Sequence, residues 1–281
     1  MQPSVNIQSP IRWDATLNRG LLRWWLCLPN QSRGNVWREL TRKSDATING
    51  ATVAGSRGRP GGWGCYEYNG TSNAAQSSAI NLSSISTLTV SLWLYWTSYA
   101  NNDDLACESG TAGLSGEQGS FHINPNSGSS GGAVRVLVNT TSGLSLNGVT
   151  FPRPSAAVWH HYVVCVDRGA GAQQVLAAYV DGVSQTLTQT NTNTGSTGGF
   201  GNFVWNFMAR NNGASLQGAG KLDDFRMYNR VLRASEAVEL YRESKAGYPR
   251  LLRWIDSPLA TFASQGVAES YWAWNQYGAV A

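Results

Sequence analysis

Residues 88–96 read LTVSLWLYW, and this alternation constrains the fold more than any other stretch of the chain. Leu88, Val90, Leu92, Leu94 and Trp96 fall on one side of an extended backbone, and Thr89, Ser91, Trp93 and Tyr95 on the other. A period of two means a strand. Either face can serve as core or as a concave platform. Further strand-like runs follow in "DLACE", "SFHINP", "AVRVLVN", "WHHYVVCVD", "QVLAAYVDG", "FVWNFMAR" and "KLDDFRMYN". Between them stand segments such as "PNSGSSGG" and "TNTNTGSTGG", whose residues favour turns and cannot continue a strand. Many short strands without long intervening helices predict an all-β sandwich or barrel. The 31 glycines and the low charged fraction of 14% agree with a turn-rich globular chain.

Two local signals refine this. Asp181-Gly182, between Tyr179-Val180 and Val183, supplies two residues that tolerate positive φ, so "AYVDGV" predicts a hairpin with Asp181 as turn former. After the last strand, Ala234, Ala237, Val238 and Tyr241 make a helical stripe, stopped by Gly247 with Pro249 just beyond. Residues 1–20 read as an N-terminal extension, 21–247 as one sandwich domain, and 248–281 as a C-terminal aromatic tail bearing Trp272, Trp274 and Tyr277.

Net charge of +4, with scattered basic residues, does not predict nucleic acid binding. No run approaches the roughly 18 apolar residues that span a bilayer, and the first twenty residues carry no signal-peptide pattern. The expectation is a chain made in the cytoplasm without a signal peptide, with no membrane partner. Cys27, Cys65, Cys107 and Cys165 have no CxxC spacing and lie beside strand-like residues, which predicts reduced, buried thiols.

The order of "GLLRWWLCL", "WRELTRKSDATINGAT", "YEYNGTSN", "LTVSLWLYW", "WHHYVVCVD", "AAYVDGV" and "GKLDDFRMYNRVLRASEAVELY" resembles the LamG-like, concanavalin A-like jelly-roll family over about residues 20 to 245. The last segment carries most of the likeness: Gly, an apolar residue, paired acids, strand residues, Tyr-Asn-Arg, Leu and a helix. The resemblance implies an all-β, two-sheet antiparallel jelly-roll sandwich of about a dozen strands with one short C-terminal helix and extended termini. Relatives usually place Ser at the helix N-cap. Here Arg233 stands there, with Glu236 three residues on, so half of a capping box is expected. Strand parity places Asp223 inward with Phe225 and Met227, and Asp224 outward with Arg226 and Tyr228.

The family includes lectins, glycanases, adhesion modules and virion parts, so function must come from sites. A glycanase needs two carboxylates facing one cleft, and no Glu-x-Asp-x-x-Glu run occurs, so no enzyme activity is expected. Calcium is the one cofactor considered, with the loop residues Asn101, Asn102, Asp103 and Asp104 as its oxygen ligands. Trp93, Tyr95, Trp272, Trp274 and Tyr277 are the candidate contacts for a carbohydrate or a protein partner. A signal-free chain of this type with an aromatic tail resembles a virion surface protein, such as a bacteriophage capsid decoration protein. The function expected is therefore a non-enzymatic structural or interaction module working by protein–protein contact or self-association. A lectin-type carbohydrate-binding module, calcium-dependent or not, is the alternative.

Overall fold

The computed structural model describes residues 16–27, 35–54, 58–62, 64–101, 103–110, 117–140, 145–195 and 198–247, with 52–54 described by their backbone. In chain order the strands begin with β1 (Leu21–Trp25), β2 (Val36–Trp37), β3 (Ala46–Asn49), β4 (Thr52–Ala54) and β5 (Cys65–Asn69). Next come β6 (Ala74–Ser77), β7 (Ile80–Asn81), β8 (Thr87–Trp96), β9 (Cys107–Ser109), β10 (Phe121–Ser127), β11 (Ala133–Asn139) and β12 (Leu146–Phe151). The series closes with β13 (Trp159–Asp167), β14 (Val175–Val180), β15 (Val183–Ser184), β16 (Thr188–Thr192), β17 (Asn202–Phe203), β18 (Trp205–Phe207) and β19 (Ala219–Tyr228), followed by helix α1 (Ala234–Lys245). No helix among the described residues is long and apolar enough to cross a membrane.

Two antiparallel sheets make the sandwich. One runs β15-β14-β13-β8-β19-β5-β4, with β1 also paired to β19, and the other runs β16-β12-β11-β10-β9-β18-β6-β3-β2. Between them lies an apolar core built from alternate residues of both sheets. Leu88, Val90, Leu92, Leu94 and Trp96 of β8 all enter it, as their parity requires. The opposite face of the same strand is covered as well. There Leu21, Trp24, Leu26, Val163, Cys165 and Tyr228 form a second cluster with Ala237 and Leu240 of α1. Helix and sheet thus make a third layer. All four cysteines are buried and none is in a disulfide, as their surroundings predict. Asp181 and Gly182 have φ of 53° and 78° in the turn between β14 and β15, also as predicted.

Residues 16–20 belong to this body, inside the segment that the sequence reading assigns to an extension. Leu17 is buried, and Arg230 donates to the carbonyls of Arg19 (2.6 Å) and Thr16 (3.3 Å). Residues 1–15 and the tail 248–281 lie outside the described residues.

A β-bulge corrects the parity expectation for Asp223, while Asp224 faces the outer side as expected. Asp223 pairs with Trp93, but Arg226 pairs with Ser91, so β19 carries one residue more than β8 opposite it. Asp224 absorbs the extra residue at a positive φ of 53°. Leu222, Phe225 and Met227 therefore face the core, while Asp223 and Asp224 both turn to the outer side, under the helix layer. Neither is exposed. Gly220, at the start of the motif, pairs with Trp96, and a Cβ there would overlap the Tyr95 carbonyl oxygen.

Arginines meet these buried carboxylates. Arg59 Nε lies 2.9 Å from Asp223 Oδ2 and Arg59 Nη2 3.3 Å from Asp224 Oδ2, and Arg226 Nε donates to Asp224 Oδ1 at 2.9 Å. Trp24 Nε1 donates to Asp224 Oδ1 (2.7 Å), and the Cys27 amide donates to Asp223 Oδ1 (2.8 Å). Arg59 also donates through Nη1 to the Ser244 carbonyl, and Trp93 Nε1 donates to Ser244 Oγ at 2.8 Å, which ties in the end of α1. Burial pushes the Asp223 carboxyl up, Arg59 opposes this, and neighbouring Asp224 adds to it. The paired acids are a clasp between β1, β19, the 58–62 segment and the helix.

Two predictions follow from this packing. Arg59→Met takes the arginine from buried Asp223 and leaves Asp224 with Arg226, so chemical denaturation should show a loss of about 3–5 kcal/mol. At the helix start, Arg233 has an extended backbone and no side-chain cap, while its amide donates to Glu236 Oε2 at 2.8 Å. Arg233→Ser supplies the missing acceptor and should add about 1 kcal/mol. A melting temperature left unchanged or lowered would refute the capping account.

Candidate functional site

The outer face of the nine-stranded sheet holds a transverse row of polar side chains. In β6, β18, β9 and β10, core-facing residues flank one polar residue that points away: Gln76, Asn206, Glu108 and His122. Register brings them side by side, with Gln76 opposite Asn206, Asn206 opposite Glu108 and Glu108 opposite His122. Beyond His122 the row continues to Leu137 and Gly148, where a Cβ would overlap the Leu137 side chain, so that end is apolar.

The row is held in place by its own hydrogen bonds. Gln76 Nε2 donates to Asn206 Oδ1 (2.9 Å) and to Asn212 Oδ1 (2.6 Å), and Asn206 Nδ2 donates to the Gly110 carbonyl (2.8 Å). Glu108 Oε1 pairs with Arg210 Nε at 3.2 Å, and its Oε2 accepts the Asn211 amide at 3.3 Å. Burial raises the Glu108 carboxyl to about 7 although Arg210 pulls it down. His122 differs from its neighbours: neither ring nitrogen has a hydrogen-bond partner among the described residues, and the residue is 8% exposed. Burial lowers its pKa to about 3, with Arg210 and Arg135 adding to the effect, so the imidazole is neutral. Asn206 and Glu108 are fully buried and His122 nearly so, and the accessible polar groups are the half-exposed Gln76 amide and Arg210 guanidinium, seated on these buried partners.

Three of the residues expected to bind calcium, Asn101, Asp103 and Asp104, are among those described. Asp103, at a positive φ of 69°, accepts through Oδ1 from Asn124 Nδ2 (3.0 Å), the Gly128 amide (3.2 Å) and Ser127 Oγ (3.4 Å). Asn101 gives its carbonyl to Asn126 Nδ2 at 2.7 Å. Burial raises the Asp104 carboxyl, a hydrogen bond from Asn101 opposes this, and Asp103 adds to it. Asn102 lies outside the described residues. Among those described, no group of three or more His, Cys, Asp or Glu side chains is placed to hold a metal. These contacts tie Asn101 and Asp103 to β10, next to the polar row.

Of the expected contact residues, Trp93 is 1% exposed and stacks on Tyr241 of α1 at 5.7 Å, so it is packing beneath the helix and not a presented platform. Tyr95 is half-buried, 5.8 Å from the Trp159 ring and 5.2 Å from Lys221 Nζ. Trp272, Trp274 and Tyr277 lie outside the described residues. The row itself is not among the residues singled out from sequence. Its signal there is faint, a polar residue inside "CES", "FHI" and "WNF", and nothing local says that these triplets are neighbours.

A family model described as the concanavalin A-like lectin/glucanases superfamily matches residues 69–237. The chain belongs to the concanavalin A-like lectin/glucanase superfamily. No curated protein matches it. Among solved structures, a Trypanosoma rangeli sialidase in complex with 2,3-difluorosialic acid aligns at 16% identity with a TM-score of 0.54, over 80% of this chain and 33% of that one. Domain 4 of AbnA, a GH43 extracellular arabinanase from Geobacillus stearothermophilus, in complex with arabinotriose, aligns at 16% identity and 0.50, over 79% of this chain and 98% of that one. The binding domain of botulinum neurotoxin DC, in complex with rat synaptotagmin II, aligns at 9% and 0.55, over 82% and 52%. At these identities the likeness is one of fold, and this superfamily member spans about a third of the sialidase chain.

Glu108 supplies a pH test of the site's electrostatics. Its folded pKa stands above its ordinary value of 4.5, so between about pH 4.5 and 7 the folded state binds more protons than the unfolded one. The group's stabilising contribution is full below pH 4.5 and is lost as pH rises through about 7. Glu108→Gln should flatten this slope in urea denaturation at pH 5 and 7.5, by a few kcal/mol at most, given ~1.4 kcal/mol per unit. An unchanged slope would place Glu108 in a wetter site.

Proposed function

We propose that this superfamily member is a recognition module that takes a glycan on the outer face of its nine-stranded sheet. The observation that carries the reading is the in-register row of Gln76, Asn206, Glu108 and His122 with Arg210 beside it. Sugar hydroxyls are both donors and acceptors, and the half-exposed Gln76 amide and Arg210 guanidinium, fixed by the buried Asn206 and Glu108, offer partners with little ordering cost on binding. The arabinanase domain, matched over nearly its whole length and bound to arabinotriose, supports the same ligand class. Glycoside hydrolysis is not part of the proposal, because the row holds one carboxylate where that reaction uses two.

The assembly reading, a capsid decoration protein on a virion surface, places its grip in residues 248–281, outside the described residues. None of the three matched structures described above is a virion component.

A glycan array probed with the full chain, with and without chelator, tests the choice. Binding that survives chelation and falls about tenfold in Gln76→Ala and Arg210→Ala is the expected result, since each removes a hydrogen-bonding partner of about 1.4 kcal/mol. Binding abolished by chelator would move the site to the 101–104 loop. Concentration-dependent self-association with no glycan bound would favour assembly.

A further inference from the structure

One rim of the sandwich carries a second group of chemistry-bearing side chains, away from the polar row. The connection from β12 to β13 runs Pro152-Arg153-Pro154-Ser155, with backbone φ restricted at both prolines. Tyr99 Oη donates to the Pro154 carbonyl at 2.9 Å, and the Ala157 amide donates to the Trp96 carbonyl at 2.8 Å. Ser155 stands exposed between these two anchors. Its Oγ lies 3.4 Å from His160 Nε2, and His160 Nδ1 lies 2.7 Å from Asp181 Oδ2.

Asp181 is itself fixed. Its Oδ1 accepts the His161 amide at 2.9 Å, and its own amide donates to the His161 carbonyl at 2.8 Å across the β13–β14 pair. Burial pushes its carboxyl up, but the hydrogen bonds from His160 and the His161 amide outweigh this and hold it below the usual range, so it is an anion. A carboxylate beside Nδ1 keeps the proton on that nitrogen and leaves the Nε2 lone pair directed toward Ser155. Hydroxyl, imidazole and carboxylate thus stand in the order of nucleophile, general base and orienting group, with Oγ 3.4 Å from Nε2.

We propose that Ser155, His160 and Asp181 form a nucleophilic site that hydrolyses small acyl esters. Ser155 Oγ attacks the ester carbonyl carbon as its proton passes to His160 Nε2. The bond from that carbon to the alcohol oxygen then breaks, and the alcohol leaves with the proton from His160. Water attacks the acyl-serine, giving a proton to His160, and the carboxylic acid departs as Ser155 recovers its hydrogen. The net change is ester plus water to acid plus alcohol. Ser155 and Val158 (49% exposed) leave the rim open, which suits a short acyl group. Ser155 and His160 touch the acyl group or its proton, and Asp181 is a positioning residue. Neither sugar binding nor the nine-stranded sheet's row enters this inference, so the two stand or fall separately.

The test uses the full chain with a fluorophosphonate probe and with p-nitrophenyl acetate. The expected result is a covalent adduct located on Ser155 by mass spectrometry, absent in Ser155→Ala, with ester hydrolysis lower by about 100-fold in Ser155→Ala and His160→Gln. Asp181→Asn keeps a side chain that tolerates positive φ, so it should slow acylation while leaving the thermal melt unchanged. A purely structural His160–Asp181 pair would instead lower the melt and leave the label where it was. No adduct on the wild-type chain, or equal labelling of Ser155→Ala, would overturn the proposal.

Discussion

Two consecutive acidic residues can face the same side of a strand only where the strand breaks its own period, and much of this molecule depends on that break. The bulge at Asp224 turns both carboxylates of β19 toward Arg59, Arg226, Trp24 and the amide of Cys27. Two buried anions without these partners would be intolerable in a low-dielectric site, and two buried arginines equally so. Each pair makes the other admissible. The same knot reaches Ser244 at the end of α1, so one local irregularity joins the first strand, the last strand and the helix that covers them.

That arrangement explains why β8 is buried on both faces although it belongs to an antiparallel sheet. Its core face packs against the second sheet, and its outer face, with Trp93 and Ser91, lies beneath the helix layer, where Ser91 Oγ also meets His161 Nε2 at 2.8 Å. A ring that looks from sequence like a stacking platform is thereby consumed by packing. The nine-stranded sheet carries no such helical layer among the described residues, and its outward side chains form the row of amides, carboxylate and imidazole. The helix thus covers the outer face of one sheet, while the outer face of the other carries this polar row.

Much of the fold was legible in the chain because its signals are local. The alternation of residues 88–96, the Asp181-Gly182 turn, the stripe of Ala234, Ala237 and Tyr241 and the burial of Cys107 and Cys165 all follow from a few neighbouring residues. The candidate site was not legible in the same way. Glu108 is a lone acid in sequence, and Gln76 and Asn206 are 130 positions apart, so only strand pairing makes them neighbours. Asp181 reads locally as a turn former. It is one, yet the turn also sets its carboxylate against His160, 21 positions earlier, and that imidazole against Ser155.

By itself the sequence determined an all-β sandwich or barrel of short strands closed by one helix, since side-chain periodicity and turn chemistry act over a few residues, and the family resemblance pointed to the sandwich. Only the tertiary structure decided which way Asp223 points, which aromatic rings are covered, and which polar residues meet across the sheets. Those outcomes depend on register, and one inserted residue in β19 reverses the side that every later position would otherwise face.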